Sequence, residues 1–375
     1  MVEATDSGRP SRTKVTLADL ARATGVSTAT VSNAYNRPEK LSAGLRQRIL
    51  DTARSLGYPG PDPTARGLRR GHTGTLGVLY ADRLSYAFAD PGYVLFLRGV
   101  SAAAETAGLA LTLVPAGPRD RRSASAIDTI AVDGFIIYSM APDDPLVSAA
   151  VERRLPIVVT DQPRLETAPF VGIDDASAAR SAAEHLLGLG HRRLGVISLE
   201  LGVTGQGGLA DAERLRAATS PMVRARLQGY GDAATSAGLS WPRDVPVYEC
   251  AENLPEEGER AARALLSAPE PPSALLAMSD QLALGVLDAA AGLGLAVPDD
   301  LSLVGFDDTT WAERAADVAL TTVRQPHFDK GRYAGEALIA SLAGQPVEPR
   351  QLLPTELVAR ATTQAPRAIS PPVRG

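Results

Sequence analysis

The stretch Thr16–Asn33 reads TLADLARATGVSTATVSN, and it decides the fold of the first part of the chain. Thr16 stands before an apolar helical face and Asp19 follows three residues later, a pattern typical of a helix N-cap with a reciprocal capping partner. Gly25 supplies the positive φ that a tight turn between two helices needs. Ser27 can then cap a second helix. The stretch therefore predicts two helices joined by a short turn.

A third helix is predicted after a Ser42 cap. Its apolar positions recur at helical spacing and should close a three-helix core with the inward Thr30, Val31 and Ala34 of the second helix: Leu45, Ile49, Ala53 and Leu56. The outward first turn of the second helix carries Thr28 and Ala29, with Asn33 one turn later. A helix-turn-helix places its base-reading side chains at such positions in the major groove.

The segment Thr16–Tyr58 resembles the helix-turn-helix head of the LacI (lactose repressor) family, most clearly in Val-Ser-Thr-Ala-Thr-Val-Ser-Asn. The resemblance implies a repressor of transcription that binds a near-palindromic double-stranded DNA operator as a homodimer. Asn33 stands where the family often has arginine, and asparagine suits adenine where arginine favours guanine. The predicted DNA contacts are Thr16, Ser27, Thr28, Ala29, Thr30, Asn33, Asn36, Arg66, Leu68 and Arg69.

The head, predicted over residues 14–58, is followed by a linker and hinge over 59–74 that begins with a Pro/Gly-rich break. In the LacI family the matching segment forms a short helix on the operator. The resemblance implies that Leu68 wedges between base steps in the minor groove while Arg66 and Arg69 hold phosphates. The alternative is a basic linker whose leucine packs against the body.

From Thr75 onward short apolar runs alternate with helix-length amphipathic segments, which predicts an α/β domain with parallel sheets over residues 75–365. The resemblance continues to about Thr363 and implies a two-lobed body like a periplasmic binding protein. The chain should cross between the lobes near residues 173, 317 and 344. A small molecule would bind between the lobes, where the strands end.

Polar side chains follow several of these apolar runs, and the family pattern assigns some of them to the ligand. Matching positions imply the contacts Asp161, Asp174, Arg226, Ser279 and Asp307. In the first lobe the candidates are Tyr80, Asp82, Phe88 and Tyr138, whose aromatic members can stack on a ring. Asp280 is predicted to cap a helix instead. The carboxylate-rich set favours a sugar, with a nucleoside as the second choice.

Composition fits this interpretation. The chain has 375 residues, enough for two or three compact units, and a single cysteine that cannot form an intramolecular disulfide. Residues 1–75 carry 12 Lys and Arg against 6 Asp and Glu, so a basic head precedes an acidic remainder in a chain of net charge −5. Such a head suits a polyanion, although basic solvated helix faces are also common. No apolar run suits a signal peptide or a membrane span, which predicts a cytoplasmic protein without a membrane partner.

Two other classes of protein are alternatives to this interpretation. A transport solute-binding protein would share the two-lobed body, but it should carry a secretory signal and no helix-turn-helix. An enzyme is disfavoured because the four histidines, His72, His185, His191 and His327, are dispersed and no catalytic or metal-ligand spacing emerges. His185 is expected to be half-buried packing, and His191 to interact with a helix C-terminus. No cofactor or metal is predicted.

Overall fold

The computed structural model describes residues 15–60, 72–81, 83–115, 125–202, 205–309 and 319–367. Internal contacts divide the chain into two units, residues 1–73 and residues 74–375. The predicted hinge contacts Arg66, Leu68 and Arg69, and the predicted ligand contact Asp82, lie outside the described residues. None of the described helices is both long and apolar enough to cross a membrane.

The first unit contains the predicted helix-turn-helix. Helix α1 spans Leu17–Thr24, α2 spans Thr28–Asn36, a 3₁₀ turn spans Pro38–Lys40, and α3 spans Ala43–Leu56. The Thr16 hydroxyl accepts a hydrogen bond from the Asp19 amide, and the Asp19 carboxylate accepts one from the Thr16 amide at 3.0 Å, so the capping box forms. Gly25 has φ +68°, as the turn requires.

The core of this unit is small. Its buried members come from all three helices and are Leu20, Ala21, Val31, Ala34, Ile49 and Ala53. Leu56, which the spacing placed in the core, is instead 40% exposed. It is the last residue of α3, and Gly57 turns the chain into the left-handed region directly after it.

The second unit is a two-sheet α/β body, in agreement with the predicted fold class. Its described elements are β1 Thr75–Tyr80, α4 Leu84–Ala87, α5 Pro91–Ala107, β2 Ala110–Pro115, α6 Ser125–Thr129, β3 Gly134–Tyr138, α7 Pro145–Glu152, β4 Ile157–Thr160, β5 Phe170–Ile173, α8 Asp175–Gly188, β6 Leu194–Ser198, β7 Gly208–Ala210, α9 Ala212–Arg216, α10 Pro221–Ser236, β8 Val247–Glu249, α11 Pro255–Leu266, β9 Ala274–Ala277, α12 Asp280–Gly292, β10 Ser302–Asp307, β11 Thr321–Arg324, α13 His327–Leu342, β12 Arg350–Leu353 and β13 Glu356–Val358.

The strands form two sheets, one for each lobe. The first has the order β12-β5-β4-β3-β1-β2, and all its pairings are parallel. The second has the order β13-β11-β10-β9-β6-β8-β7 and is parallel except at its two edge strands, β13 and β7. Parallel strands joined through helices point the same way, so their carboxyl ends gather at one edge of each sheet.

The chain passes between the sheets at three places. It leaves the first sheet after Ile173, returns between Arg324 and His327, and crosses again between Leu353 and Glu356. The second and third crossings come later than the expected positions near 317 and 344. Residue 317 precedes β11, which still belongs to the second sheet, and Gly344 is followed by β12, which pairs with β5 of the first sheet. These two short strands have no long apolar run to mark them in the sequence.

Glycines allow close helix packing next to the crossings. A Cβ atom at Gly99 of α5 would lie 1.9 Å from the carbonyl oxygen of Phe328 in α13. One at Gly229 of α10 would lie 2.1 Å from the carbonyl oxygen of Ala176 in α8. Any larger residue would push these backbones apart. The close approach fixes the N-terminal ends of α13 and α8, where the chain has just changed sheets.

Candidate functional site

A cavity of about 210 Å³ lies between the two lobes, at the carboxyl ends of their strands. Strand ends supply much of its lining, because Tyr80 pairs with Tyr138 in register and Asp161 directly follows β4. Six of the nine predicted ligand contacts line the cavity: Tyr80, Tyr138, Asp161, Arg226, Ser279 and Asp307. Their role in binding a ligand stays a prediction, but the structure brings them to one place.

Two predicted contacts are elsewhere. Asp174 does not line the cavity; its carboxylate caps α8 by accepting hydrogen bonds from the amide and hydroxyl of Ser177 at 3.1 and 2.9 Å. These bonds hold the pKa of Asp174 below its ordinary value. Phe88 also lies outside the lining and is 61% exposed, since it follows the short helix α4 instead of ending a strand.

Arg226 is buried in the second lobe and its guanidinium is held on several sides. Nε donates to Asp175 Oδ1 at 2.9 Å, and Nη1 donates to the carbonyl oxygen of Met278 at 2.7 Å. The guanidinium carbon lies 3.7 Å from the centre of the Phe306 ring. Asp175, and not the predicted Asp174 beside it in the sequence, is therefore the carboxylate that binds Arg226. This network presents the arginine to the cavity in a fixed orientation.

A chain of polar contacts joins Asp161 of the first lobe to Asp307 of the second. Lys330 Nζ donates to Asp161 Oδ1 at 2.7 Å and to Gln325 Oε1 at 2.5 Å. The amide nitrogen of Gln325 donates to Asp307 Oδ1 at 2.6 Å. Lys330 is 1% exposed, so its charge is neutralised by Asp161 within the protein. Gln325 follows β11 at the second crossing, and Lys330 lies one turn into α13.

The two predicted tyrosines belong to a stack of aromatic rings. The ring of Tyr80 stacks on that of Tyr93 with centroids 4.0 Å apart, and Tyr138 packs against Phe96 at 4.1 Å. One face of each predicted tyrosine is therefore already covered by a protein ring. Burial raises the pKa of Tyr138 far above its ordinary value, so its hydroxyl stays neutral and can donate a hydrogen bond.

Ser279, and not Asp280, caps α12. Its hydroxyl accepts from the Leu282 amide at 3.1 Å and donates to Asn253 Oδ1 at 2.5 Å. The expected cap, Asp280, is instead buried and accepts from the Thr322 hydroxyl at 2.6 Å and the Thr309 amide at 2.9 Å. Asp280 is the first residue of α12, and its carboxylate ties the loop after β10 to β11.

Two of the four histidines contact hydroxyl groups of the second lobe. His185 contacts the Thr363 hydroxyl at 2.9 Å, in keeping with a half-buried packing role. His191 is 1% exposed, and its ring nitrogens contact the hydroxyls of Ser273 and Ser302 at 2.8 and 3.0 Å. Its Nε2 also contacts the main-chain oxygen of Gln364 at 2.9 Å, so the ring joins the body to the segment after β13 and is not directed at a helix C-terminus as expected. The described residues hold no cluster of three potential metal ligands.

In the first unit, the predicted base-reading positions lie on the outer side of α2. Thr28 and Ala29 are exposed and Asn33 is half-buried. The hydroxyl of Ser27 accepts from the Thr30 amide at 3.1 Å, so it caps α2 while remaining exposed. The amide of Asn36 donates to the Ser32 hydroxyl at 3.1 Å one turn earlier. Thr16 is exposed at the start of α1.

Comparison with known proteins agrees with this arrangement. A model of bacterial regulatory proteins of the lacI family matches residues 16–60, and a model of the periplasmic binding protein-like domain matches residues 183–363. An HTH-type transcriptional regulator of Mycobacterium tuberculosis is 43% identical over 361 residues, which cover 95% of this chain and 99% of the relative. The chain belongs to the LacI family.

Solved structures support both parts of this LacI-family chain. The lac repressor dimer bound to operator and the anti-inducer ONPF is 25% identical, with a TM-score of 0.73 over 94% of this chain and 100% of that one. A complex of the transcriptional regulator CelR with cellobiose is 28% identical, with a TM-score of 0.67 over 93% and 99%. This LacI-family chain is a transcriptional regulator with a DNA-binding head and an effector-binding domain.

Proposed function

We propose that this LacI-family regulator is a cytoplasmic repressor that binds a near-palindromic operator as a homodimer and responds to a sugar. The proposed sugar effector is supported by the cavity between the lobes, which is lined by carboxylates, hydroxyls and a fixed guanidinium. Such groups can donate to and accept from the many hydroxyls of a sugar. The CelR structure contains a sugar, cellobiose, in a protein of the same fold.

The DNA part of the proposal is supported by the exposed first turn of α2. Thr28 and Ala29 offer a small polar and a small apolar surface, and Asn33 adds an amide that suits adenine. Two heads in a dimer would read two half-sites of an inverted repeat. The change of operator affinity would follow from a ligand that binds the open and closed lobes with different affinity.

Selection from a random DNA pool with the full chain tests the operator. We expect an enriched inverted repeat, bound at a ratio of two chains to one duplex by sedimentation. In-vitro transcription from a promoter carrying that repeat should decrease when the protein is added. Enrichment of a single half-site bound by one chain would contradict the dimer, and increased transcription would contradict repression.

Titration of the selected operator with a panel of sugars and nucleosides tests the effector. We expect at least one sugar to shift operator affinity and to raise the melting temperature, since a ligand at 100 times its Kd adds about 2.7 kcal/mol to stability. A response to nucleosides alone would replace the sugar by the second candidate. A panel without any response would overturn the proposed effector class.

A further inference from the structure

Around the cavity, two cations form ion pairs with carboxylates of the protein, whereas two further carboxylates do not form such pairs. Arg226 lines the cavity and is bound to Asp175, while Lys330 lies behind Asp161 and is bound to it. Both of these cations are therefore neutralised by the protein itself. The lining also holds the carboxylates of Asp90 and Asp307, and among the described residues neither forms an ion pair with a lysine or arginine at contact distance. Arg226, which is bound to Asp175, attracts Asp307 over a longer distance.

His327 lies between these two carboxylates, at the start of α13. Its Nε2 lies 3.6 Å from Asp307 Oδ1, and its ring packs so closely on Gly92 that a Cβ atom there would be 3.2 Å from the imidazole. The side chain is 5% exposed, and neither ring nitrogen has a hydrogen-bond partner among the described residues. Buried polar atoms normally have a hydrogen-bond partner. A ligand in the cavity could supply the partner that these two nitrogens lack.

Asp90 completes the arrangement from the first lobe. It caps α5, and only its Oδ1 is used for this, accepting from the amides of Gly92 and Tyr93 at 2.9 and 3.4 Å. Burial, together with the charge of Asp307, raises the pKa of Asp90 to about 6. Burial is the larger of these two causes, and repulsion by the Asp307 carboxylate adds to it.

We infer that Asp90, His327 and Asp307 form a recognition cluster that accepts an uncharged polyhydroxylated effector and rejects its phosphorylated or carboxylated analogues. The inference rests on the proposed effector site and narrows its ligand class. Ligand hydroxyls can donate to the two carboxylates and can accept from or donate to the imidazole. A phosphate monoester would bring about −1.5 to −2 charges into a cavity whose neighbouring cations are already paired. Its desolvation would then be uncompensated.

Matched ligand pairs test this class. The full chain would be titrated by calorimetry with neutral hexoses, pentoses, disaccharides, cyclitols and nucleosides, each beside its monophosphate ester or its acid. We expect a neutral compound to bind and its charged partner to bind at least about a hundredfold more weakly. Equal or tighter binding of the charged partner would overturn the inference while leaving the proposed effector site intact. If no compound binds, the proposed effector site fails, and this inference fails with it.

Three variants test Asp90 and His327 with the neutral binder found in that panel. Asp90→Asn keeps an acceptor for the helix cap but removes the charge. The Kd of the charged compound divided by the Kd of its neutral partner should therefore fall by about tenfold. His327→Phe keeps a ring against Gly92 but removes both nitrogens, so affinity for the neutral compound should fall by about tenfold or more. His327→Gln restores a polar group and should recover part of that loss. Binding of the operator without effector shows that a variant is folded. If His327→Phe does not bind the operator, the affinity of His327→Gln for the neutral compound is compared with that of the wild type instead.

Asp211→Asn is the matched control for Asp90→Asn. Asp211 also caps a helix, accepting from the Arg214 amide at 2.8 Å, but it is exposed and does not line the cavity. Both Kd values should stay unchanged in this variant. If folded Asp90→Asn and His327→Phe proteins kept the wild-type affinities and ratio, the cluster would have no part in recognition.

Discussion

The hydroxyl of Tyr86 donates a 2.6 Å hydrogen bond to the main-chain oxygen of Asn253. Tyr86 lies in α4 and packs with the core of the first lobe, whereas Asn253 follows β8 of the second sheet. The side-chain amide of Gln281 donates to the same phenol at 3.2 Å. On the other side of the cavity, Ser220 donates to Gln162 Oε1 at 3.0 Å. These bonds join the two lobes on either side of the cavity.

Replacing Tyr86 by phenylalanine should weaken the contact between the lobes. The change removes the bond to Asn253 and leaves the ring in place, and a neutral hydrogen bond contributes about 0.5–1.5 kcal/mol. We expect effector affinity to fall by about twofold to tenfold, measured by calorimetry. Tyr333→Phe, whose ring packs beside Arg332 of α13, should not change it. Unchanged affinity in Tyr86→Phe would show that this bond between the lobes does not contribute to effector binding.

Asn33→Ala tests direct base reading. Loss of a bidentate contact should weaken binding to the selected operator by about 1–3 kcal/mol and should hardly affect random DNA. Competition binding at fixed salt provides both numbers. Arg22→Ala, on the exposed side of α1, is the comparison for a residue outside the base-reading turn. Equal losses on both DNAs would place Asn33 outside base recognition.

Leu68→Ala tests the predicted minor-groove wedge. A smaller side chain should unstack the bases less, so both the bend of the operator and the affinity should decrease. Circular-permutation gels report the bend, and calorimetry should show unchanged effector binding. A normal bend combined with a lower melting temperature of the body would favour the packing alternative.

Arg226→Ala should destabilise the body as well as abolish the response to effector. It leaves the buried Asp175 carboxylate without its partner, and breaking a buried pair in this way costs about 3–5 kcal/mol. The double variant Arg226→Ala with Asp175→Ala removes both charges and should lose clearly less than the sum of the two single changes. Urea unfolding of the four proteins gives the coupling. Additive losses would show that the two side chains do not interact in solution.

Asp280→Asn should change how stability depends on pH. Burial, reinforced by the charge of Asp307, raises the pKa of Asp280 from the ordinary 3.8 to about 8. The folded protein therefore retains a proton between these values that the unfolded chain releases. The stability from this group is complete below pH 3.8, is lost as pH rises, and is gone above pH 8.

Urea unfolding of both proteins between pH 5 and pH 8 checks this expectation. The asparagine cannot titrate, so the stability of wild type relative to Asp280→Asn should decrease with rising pH by up to about 1.4 kcal/mol per unit. Asp211→Asn, on the surface, should keep the pH dependence of the wild type. Parallel curves for wild type and Asp280→Asn would contradict a raised pKa.

The local sequence pattern was sufficient to predict the helices and strands and some of the residues that line the cavity. The capping box of Thr16 and the turn at Gly25 depend on residues within a few positions of each other, so sequence predicts them well. Asp161 and Asp307 were found because each stands at the end of an apolar run, and parallel strands bring such ends to one edge. Asp174 was misplaced because a strand-end aspartate can equally cap the next helix, and sequence spacing does not separate these two roles.

The other residues at the cavity could not be predicted from local sequence patterns. Asp90 stands before Pro91, which marks a helix start but not a cavity. Gln325, His327 and Lys330 follow the short strand β11 at a crossing whose position was expected earlier in the chain. Their neighbours, Asp161 and Asp307, are distant in sequence, so nothing local indicates the contacts.

Capping, apolar periodicity and long matching motifs were enough to predict the helix-turn-helix head, the α/β body and the family. Which charges around the cavity are paired could be seen only in the folded chain. Arg226 is bound to Asp175 and Lys330 to Asp161, whereas Asp90, His327 and Asp307 meet across the lobes. The physical reason is that pairing of buried charges depends on distances of a few ångströms between segments far apart in sequence, and the two sheets and their crossings set those distances.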